Sequence, residues 1–415
     1  MDVVIGRSEI DGKAVPPPSK SYTHRAFIAS SLSKKSKVYN ALLSEDTIAT
    51  LRCCKIMGAR FYRKERFEFF GCQRINSGYY YVVNSGTTLR LFMGLLSLSN
   101  GFSVLDGDES IRRRPNLELV RALKKLGAKI RGFGDYSAPL VVHGFLRGGE
   151  VEIKAISSQF VSSLLFSLPL AKFDSVVNVV NVKSRPYIDV TLHVLEESGI
   201  KIDCEDNVFY IEGNQEYDLR EFKIPSDFSS ASYLISAGIL AGRVVIEGLY
   251  ESRQGDKVIV DIVRKMGGKV EWNKEKGILI AEKSDLEGIE VDARDIPDLV
   301  PTIAVLGAVA KGKTVIYNAE HLRYKETDRI ETTYRNLKAL GVEVKKRRDG
   351  LEVKGGNVKG GVVDSYGDHR IAMAFSILGL VSDVVVRNAE VVSVSFPNFF
   401  DVLKELGASV QKINF

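Results

Sequence analysis

Apolar residues recur at helical spacing and then stop at a glycine six times along the chain. Leu117, Val120, Leu123 and Leu126 make one such stripe, and Gly127 follows it. The stops are Gly58, Gly127, Gly199, Gly267, Gly341 and Gly407, between 66 and 74 residues apart. Leu123-Lys-Lys-Leu-Gly-Ala-Lys-Ile130, Leu337-Lys-Ala-Leu-Gly-Val-Glu-Val344 and Leu403-Lys-Glu-Leu-Gly-Ala-Ser-Val410 are versions of one passage. Glycine is the expected residue just past a helix because it takes the left-handed conformation without a Cβ penalty. Period-two segments flank each stripe. The repeat therefore predicts strand, polar loop, helix, strand, polar loop, helix, glycine stop, strand, turn, strand. In the second unit these elements are strand Tyr79–Val83, helix Leu89–Leu98, strand Ser103–Leu105 and helix Asn116–Leu126.

The sixth unit is short by one strand. Only Ala408–Ile413 follows its glycine, while Val3–Ile10 stands alone at the other end. The pattern predicts that Val3–Ile10 completes the sixth unit and that the two ends lie together. Pro16-Pro17-Pro18 and Ile224-Pro225-Ser226 mark two crossings, since proline cannot continue a helix. The expected domains are residues 19–224 and residues 1–18 plus 225–415, each of three units. A solenoid is disfavoured because a unit of about 70 residues is long for one.

Composition adds bounds. A length of 415 residues predicts two or three domains. Hydrophobic residues at 45% and charged residues at 27% are ordinary for a globular chain. The net charge of +6 suits nucleic acid or a small polyanionic substrate, so the placement of cations must decide. Cys53, Cys54, Cys72 and Cys204 lack zinc-ligand spacing and read as reduced thiols of a cytoplasmic protein, with Cys53 and Cys54 on two faces of a helix. The first ten residues alternate like a strand, with no signal-peptide core, and no apolar run is long enough to span a bilayer.

The candidate chemistry lies at helix starts. These carry Ser19-Lys20-Ser21-Tyr22-Thr23-His24-Arg25, Asn84-Ser-Gly86-Thr-Thr-Leu-Arg90, Ser157-Ser158-Gln159, Asp227, Asp298 and Asp368-His369-Arg370. Second loops bring Arg112-Arg113-Arg114, Ser184-Arg185-Pro186-Tyr187 and Lys325-Glu326-Thr327-Asp328-Arg329. Capping of free N–H groups explains Ser, Thr, Asp and Asn. It does not explain Arg25, Arg114, Arg329 and Arg370, because the helix dipole disfavours cations there. Anions explain them: free N–H groups, hydroxyls and guanidinium groups together make phosphate or carboxylate sites. Ser21 and Arg25 share a helix face, as do Lys325 and Arg329. Asp298 reads as a cap, or as a base kept ionised by nearby cations. His369 reads as structural. No metal site is expected, since no histidine or acidic group has ligand spacing. No GxGxxG follows a strand.

These loops, in this order, resemble the 5-enolpyruvylshikimate-3-phosphate synthase family over essentially the whole chain. The resemblance rests on Pro-Ser-Lys20-Ser-x-x-x-Arg25, Asn84-x-Gly-Thr-x-x-Arg90, Arg114-Pro115, Ser157-Ser-Gln159, Arg185-Pro-Tyr-Ile-Asp189, Lys325-Glu-Thr-Asp-Arg329 and Asp368-His-Arg370-x-Ala-Met373. It implies an α/β fold, a two-domain inside-out α/β barrel of six βαβαββ units, with helix starts converging on a cleft. It implies transfer of an enolpyruvyl group from phosphoenolpyruvate to the 5-hydroxyl of shikimate 3-phosphate by a monomer, without metal or organic cofactor and without nucleic-acid or membrane partners. By similarity, Ser21 and Arg25 hold the shikimate carboxylate. Ser157, Ser158 and Ser184 hold the 3-phosphate, with Gln159 nearby and Tyr187 beneath the ring. Asp298 and Lys325 address the ring hydroxyls, Asp298 as base, and Glu326 shuttles a proton at the methylene. Lys20 sits between the substrates. Arg329 and Arg370 clamp the phosphoenolpyruvate carboxylate, and Arg114 and Gly86 face its phosphate.

Two positions depart from that pattern. Val394 stands where many relatives carry lysine, and His321 where some carry asparagine. Gly86 leaves room beside the donor phosphate, so inhibition by glyphosate is expected. UDP-N-acetylglucosamine enolpyruvyl transferase is the nearest rival; the loop Asp106–Pro115 lacks the reactive cysteine usual there. A nucleic-acid-binding repeat protein is a remote rival, because it would string cations and stacking aromatics along a surface.

Overall fold

All six glycine stops close in the same way. The glycine N–H donates to the carbonyl three residues back, and the next N–H donates to the carbonyl five back, as from Gly127 to Lys124 and Ala128 to Leu123. This is the hydrogen-bond pattern of a Schellman cap. The glycines take φ from 74° to 118°, where any side chain would be strained. The computed structural model describes residues 1–413.

Two helices precede each stop. They are α1 (Lys20–Leu32) and α2 (Glu45–Met57), α3 (Gly86–Leu96) and α4 (Leu117–Lys125), α5 (Ser158–Ser167) and α6 (Arg185–Glu197). The later units add α7 (Phe228–Ala241) and α8 (Ile259–Lys265), α9 (Val300–Val309) and α10 (Arg329–Ala339), α11 (His369–Ser382) and α12 (Phe399–Glu405). The two members of each pair differ in composition and therefore in place. Every residue of α7 is buried, and α3, α5, α9 and α11 each leave one residue less than buried. The second helices are amphipathic: α4 buries Leu119, Val120, Ala122 and Leu123 and exposes its charged side. A helix apolar all round must sit in a core, and a striped one must cover it. Accordingly α7, α9 and α11 pack on one another, and α3 packs on α5.

Each unit also forms one four-stranded sheet. In the second unit the order is Tyr79–Tyr81, Phe102–Asp106, Ser137–His143, Lys129–Phe133, with the first pair parallel and the others antiparallel. The same order recurs in the other five sheets. The described chain divides into two compact units, Pro18–Ile224 and Met1–Pro17 with the segment from Pro225 onward. Each has its own apolar core.

The segment Val3–Ile10 is not one strand. Asp2–Gly6 pairs with Ser409–Ile413 and with Val384–Arg387, while Ile10–Ala14 pairs in parallel with Gly242–Glu247 in another sheet. Val3, Ile5 and Ile10 are all buried. Ile10 lies five residues after Ile5, out of phase with a period of two, so one continuous strand cannot bury both. A matching strand, Glu221–Lys223, pairs in parallel with Lys35–Tyr39. The two crossings thus exchange strands. Ile10–Ala14 leads into α1 but lies in the sheet of α7, and Glu221–Lys223 leads into α7 but lies in the sheet of α1. Cys53 and Cys54 are both buried in α2.

Candidate active site

In the unit Pro18–Ile224, α1 begins at Lys20 after Ser19, whose hydroxyl accepts from the Tyr22 N–H. The Lys20 ammonium lies 3.1 Å from Asp46 Oδ2, at the start of α2, and both side chains are largely buried. One turn later Arg25 is almost fully buried. Its Nη1 donates to the Ser21 carbonyl (2.9 Å), its Nε to Thr191 Oγ1 (2.7 Å), and its Nη2 to Ser162 Oγ and the Tyr187 carbonyl (both 3.3 Å). All these partners are uncharged. Burial dominates and lowers the Arg25 pKa to about 10. Ser21, Arg25 and the backbone of Tyr187 are thus brought together.

Ser157 caps α5 by accepting from the Gln159 N–H, and Ser158 is buried beside it. Ser184 is buried at the start of α6 in the left-handed region, with φ 57°. Such a conformation in a non-glycine residue costs on the order of 1 kcal/mol, and strain of this kind clusters at functional sites.

Arg114, Gln159 and Arg90 gather around Gly86, the first residue of α3. A Cβ there would lie 2.9 Å from Arg114 Nη1, 3.5 Å from Arg90 Nη1 and 3.7 Å from Gln159 Oε1. Arg90 donates to Gln159 Oε1 (2.5 Å) and Asn116 Oδ1 (3.1 Å), and Gln159 Nε2 to Thr87 Oγ1 (2.8 Å). Arg114 donates to Asn84 Oδ1 (2.7 Å) and Ser110 Oγ (2.9 Å). Two buried guanidinium groups beside a helix start are the kind of arrangement that can receive a phosphate.

In the compact unit that runs from Pro225 onward, Asp298 does not cap α9; Leu299 takes the cap position. Its carboxylate instead accepts from Arg329 Nη1 (2.6 Å) and Arg370 Nη2 (3.2 Å). Arg329 also donates from Nη2 to Glu326 Oε2 (2.8 Å), and from Nε to Asp368 Oδ2 (2.7 Å). One buried guanidinium therefore gathers Asp298, Glu326 and Asp368. Burial would raise the Asp298 pKa, but Arg370, Arg329 and Lys325 outweigh it and hold the carboxyl well below its usual range. Burial would lower Arg329, but Asp368, Glu326 and Asp298 push it well above its ordinary value. Asp368 caps α11 through the Arg370 N–H, and His369 is buried next to it. Asp227 caps α7, and Ser229 donates to Asp256. Burial, then the neighbouring Asp298, pushes Asp256 up to about 7.

Three participants carry no role in the motif reading: Asp46, Asp256 and Arg90. Asp46 and Asp256 belong to a second helix or its approach, where an acid near a helix start reads as a cap. Arg90 is visible in its motif, but its bond to Gln159 spans 69 residues. Among the described residues, no group of three or more His, Cys, Asp and Glu could hold a metal ion, and no helix is long and apolar enough to cross a membrane.

The family model for EPSP synthase (3-phosphoshikimate 1-carboxyvinyltransferase) matches residues 4–403. A 3-phosphoshikimate 1-carboxyvinyltransferase of Archaeoglobus fulgidus is 62% identical, with 100% of each chain covered. That of Methanothrix thermoacetophila is 46% identical over 99% of each. The solved EPSP synthase from Acinetobacter baumannii superposes with a TM-score of 0.84 at 26% identity, over 100% of both chains. A match of this extent, on a chain whose motif residues gather around the buried arginines of its two units, establishes membership: the protein belongs to the EPSP synthase family.

Proposed function

We propose a division of labour among these residues for the reaction of the family. The chain is a transferase of the shikimate pathway, moving the enolpyruvyl group of phosphoenolpyruvate to shikimate 3-phosphate. The acceptor needs one carboxylate and one phosphate held. Arg25 and Ser21 take the carboxylate, because a buried cation with only neutral partners gains most from an anion. Ser157, Ser158 and Ser184 take the 3-phosphate, with Gln159 beside them and Tyr187 under the ring. Arg114 and the Gly86 backbone take the phosphate of phosphoenolpyruvate. Lys20, oriented by Asp46, serves both substrates.

The observation that carries the chemistry is the pair of carboxylates, Asp298 and Glu326, held on the one guanidinium of Arg329. While so held, Asp298 is a weak base, because Arg370, Arg329 and Lys325 keep its carboxyl well below the usual range. A donor carboxylate arriving at Arg329 and Arg370 competes for those N–H groups and releases both acids when they are needed. Asp298, with Lys325 beside it, then accepts the proton of the acceptor 5-hydroxyl. Glu326, entering this step in its protonated form, delivers that proton to the donor methylene, which makes its C2 electrophilic. The tetrahedral adduct loses phosphate, which carries off the proton held on Asp298; Glu326 takes back a proton from the new methyl group, and the enol ether forms. Proton transfers of this kind contribute about 10²- to 10⁴-fold each. No metal or organic cofactor enters the scheme. The enzyme acts as a cytoplasmic monomer, consistent with small charged substrates that do not cross membranes unaided.

The test is phosphate release from phosphoenolpyruvate, with and without shikimate 3-phosphate. Release that requires shikimate 3-phosphate supports the assignment. Release indifferent to it, or dependent on a nucleotide sugar, overturns it. Glyphosate, a phosphonate resembling the donor, is expected to inhibit; an unaffected rate at millimolar-range inhibitor would remove the Gly86 assignment.

A further inference from the structure

Three helices of the first unit are joined by a buried polar chain that lies beside the assigned binding groups. His24 Nδ1 on α1 is 2.6 Å from Thr50 Oγ1 on α2. Thr50 Oγ1 is 2.6 Å from Thr88 Oγ1 on α3, which is 2.7 Å from Ser85 Oγ at the cap of the same helix. Ser85 Oγ also accepts from the Thr88 N–H at 3.2 Å. His24 is 1% exposed and the three hydroxyl residues are not exposed at all. Uncharged polar groups at such depth are costly unless paired, so an apolar contact would serve stability as well or better. Burial first, then the charges of Lys20 and Arg25, hold the His24 ring neutral.

The ends of the chain are informative. His24 sits next to Arg25 and one turn from Lys20. Ser85 precedes Gly86, whose neighbours are Arg114, Arg90 and Gln159. Thr50 is one turn from Asp46, the partner of Lys20. The hydroxyl groups each have one proton and can pass it in either sense, so the proton on the imidazole sets the direction of the whole row. Such a row fixes distances between helices more sharply than methyl packing does, because hydrogen bonds fail within a few tenths of an ångström.

We propose that His24, Thr50, Thr88 and Ser85 are positioning residues for the reaction, locking the start of α3, which receives the donor phosphate, to the start of α1, which carries Lys20 and Arg25. The proposal rests on the assignment of Gly86 and Arg114 to the phosphoenolpyruvate phosphate. None of the four side chains touches substrate through this row; they act on the Gly86 loop and on Lys20.

The experiment compares Thr50→Val, which keeps the shape and removes the hydroxyl, with Thr50→Ser, which restores it. In the full chain, Thr50→Val is expected to raise the KM for phosphoenolpyruvate about five- to tenfold, the size set by loss of one buried hydrogen bond. The KM for shikimate 3-phosphate should stay within about twofold, and Thr50→Ser should recover most of the loss. Unchanged KM for phosphoenolpyruvate in a Thr50→Val protein that merely melts earlier overturns the proposal. So does an equal rise in both KM values. Gly86→Ala is the companion variant, since its methyl would press on Arg114. If Gly86→Ala leaves the donor KM unchanged, the donor-phosphate assignment itself fails. If it raises that KM while Thr50→Val does not, only the positioning row fails.

Discussion

The two units hold their buried arginines by opposite means. In Pro18–Ile224, Arg25 and Arg114 bond to hydroxyls, amides and carbonyls, and burial lowers the Arg25 pKa to about 10. In the other unit Arg329 meets three carboxylates, which push its pKa well above the ordinary value. The first arrangement leaves the positive charge of Arg25 on neutral partners, which suits the phosphate and carboxylate binding proposed for it. The second is internally compensated and surrenders its acids only to a competing anion. Under the proposed assignment, binding of acceptor and activation of chemistry fall to two electrostatic designs made from the same helix-start geometry.

The largest effect that could break this comparison is catalytic. Asp298→Asn should lower turnover about 10³-fold, within the range for loss of a general base, while the Kd for shikimate 3-phosphate stays nearly constant. Phosphate release and calorimetric titration measure the two, and full turnover would remove Asp298 from the mechanism. Next comes stability. Arg329→Met leaves Glu326 and Asp368 without this cation and Asp298 with Arg370, and should cost about 3–5 kcal/mol in chemical unfolding. Arg25→Met should cost under about 1.5 kcal/mol, because Thr191 keeps its bonds to Ser162 and the Tyr187 carbonyl. It should nevertheless abolish acceptor binding. Equal costs for the two variants would erase the distinction.

A third test uses pH. Asp256 titrates at about 7 in the folded chain, against about 3.9 for an unperturbed aspartate. Between those values the unfolded chain has released this proton and the folded one retains it. Stability from this group therefore falls as pH rises from about 4 to about 7. Asp256→Asn should flatten that decline in unfolding curves taken across the interval. An unaltered slope would show that Asp256 is already ionised. The smallest expected effect comes from Val394→Lys. It adds one cation to the compensated unit and should lower the donor KM by no more than about threefold, the scale of a partly exposed charge. A larger gain would mean that this unit lacks positive charge after all.

Much of this was legible along the chain, for reasons that are local. The glycine stops show in sequence because a Schellman cap is decided within six residues. Arg329 and Glu326 announce their pairing through a spacing of three on a helix start. The strand exchange does not show, because Glu221-Phe222-Lys223 is too short to carry a pattern and its partner lies some 184 residues earlier. Val3–Ile10 reads as one strand because Gly6 and the polar residues after it do not interrupt its alternation strongly. Asp298 looks like a cap by position; its salt bridges reach Arg329 and Arg370, 31 and 72 residues away. Asp46 and Asp256 offer no local signal beyond an acid near a helix start, which capping already explains.

The exchange of strands also orders the birth of the molecule. During synthesis, Pro18–Ile224 is completed as one contiguous stretch and can acquire its core while the rest is still being made. The segments Asp2–Gly6 and Ile10–Ala14 are translated before it, yet their sheet partners are Gly242–Glu247, Val384–Arg387 and Ser409–Ile413. Asp2–Gly6 must therefore wait, without these strand partners, until Val384–Arg387 and Ser409–Ile413 have been made. A circularly permuted gene that begins at Pro225 and runs through a short linker into Met1 would shorten that wait and make the late-forming half contiguous up to Pro17. The cost would fall on Glu221–Lys223, which would then close the other half as the last segment translated.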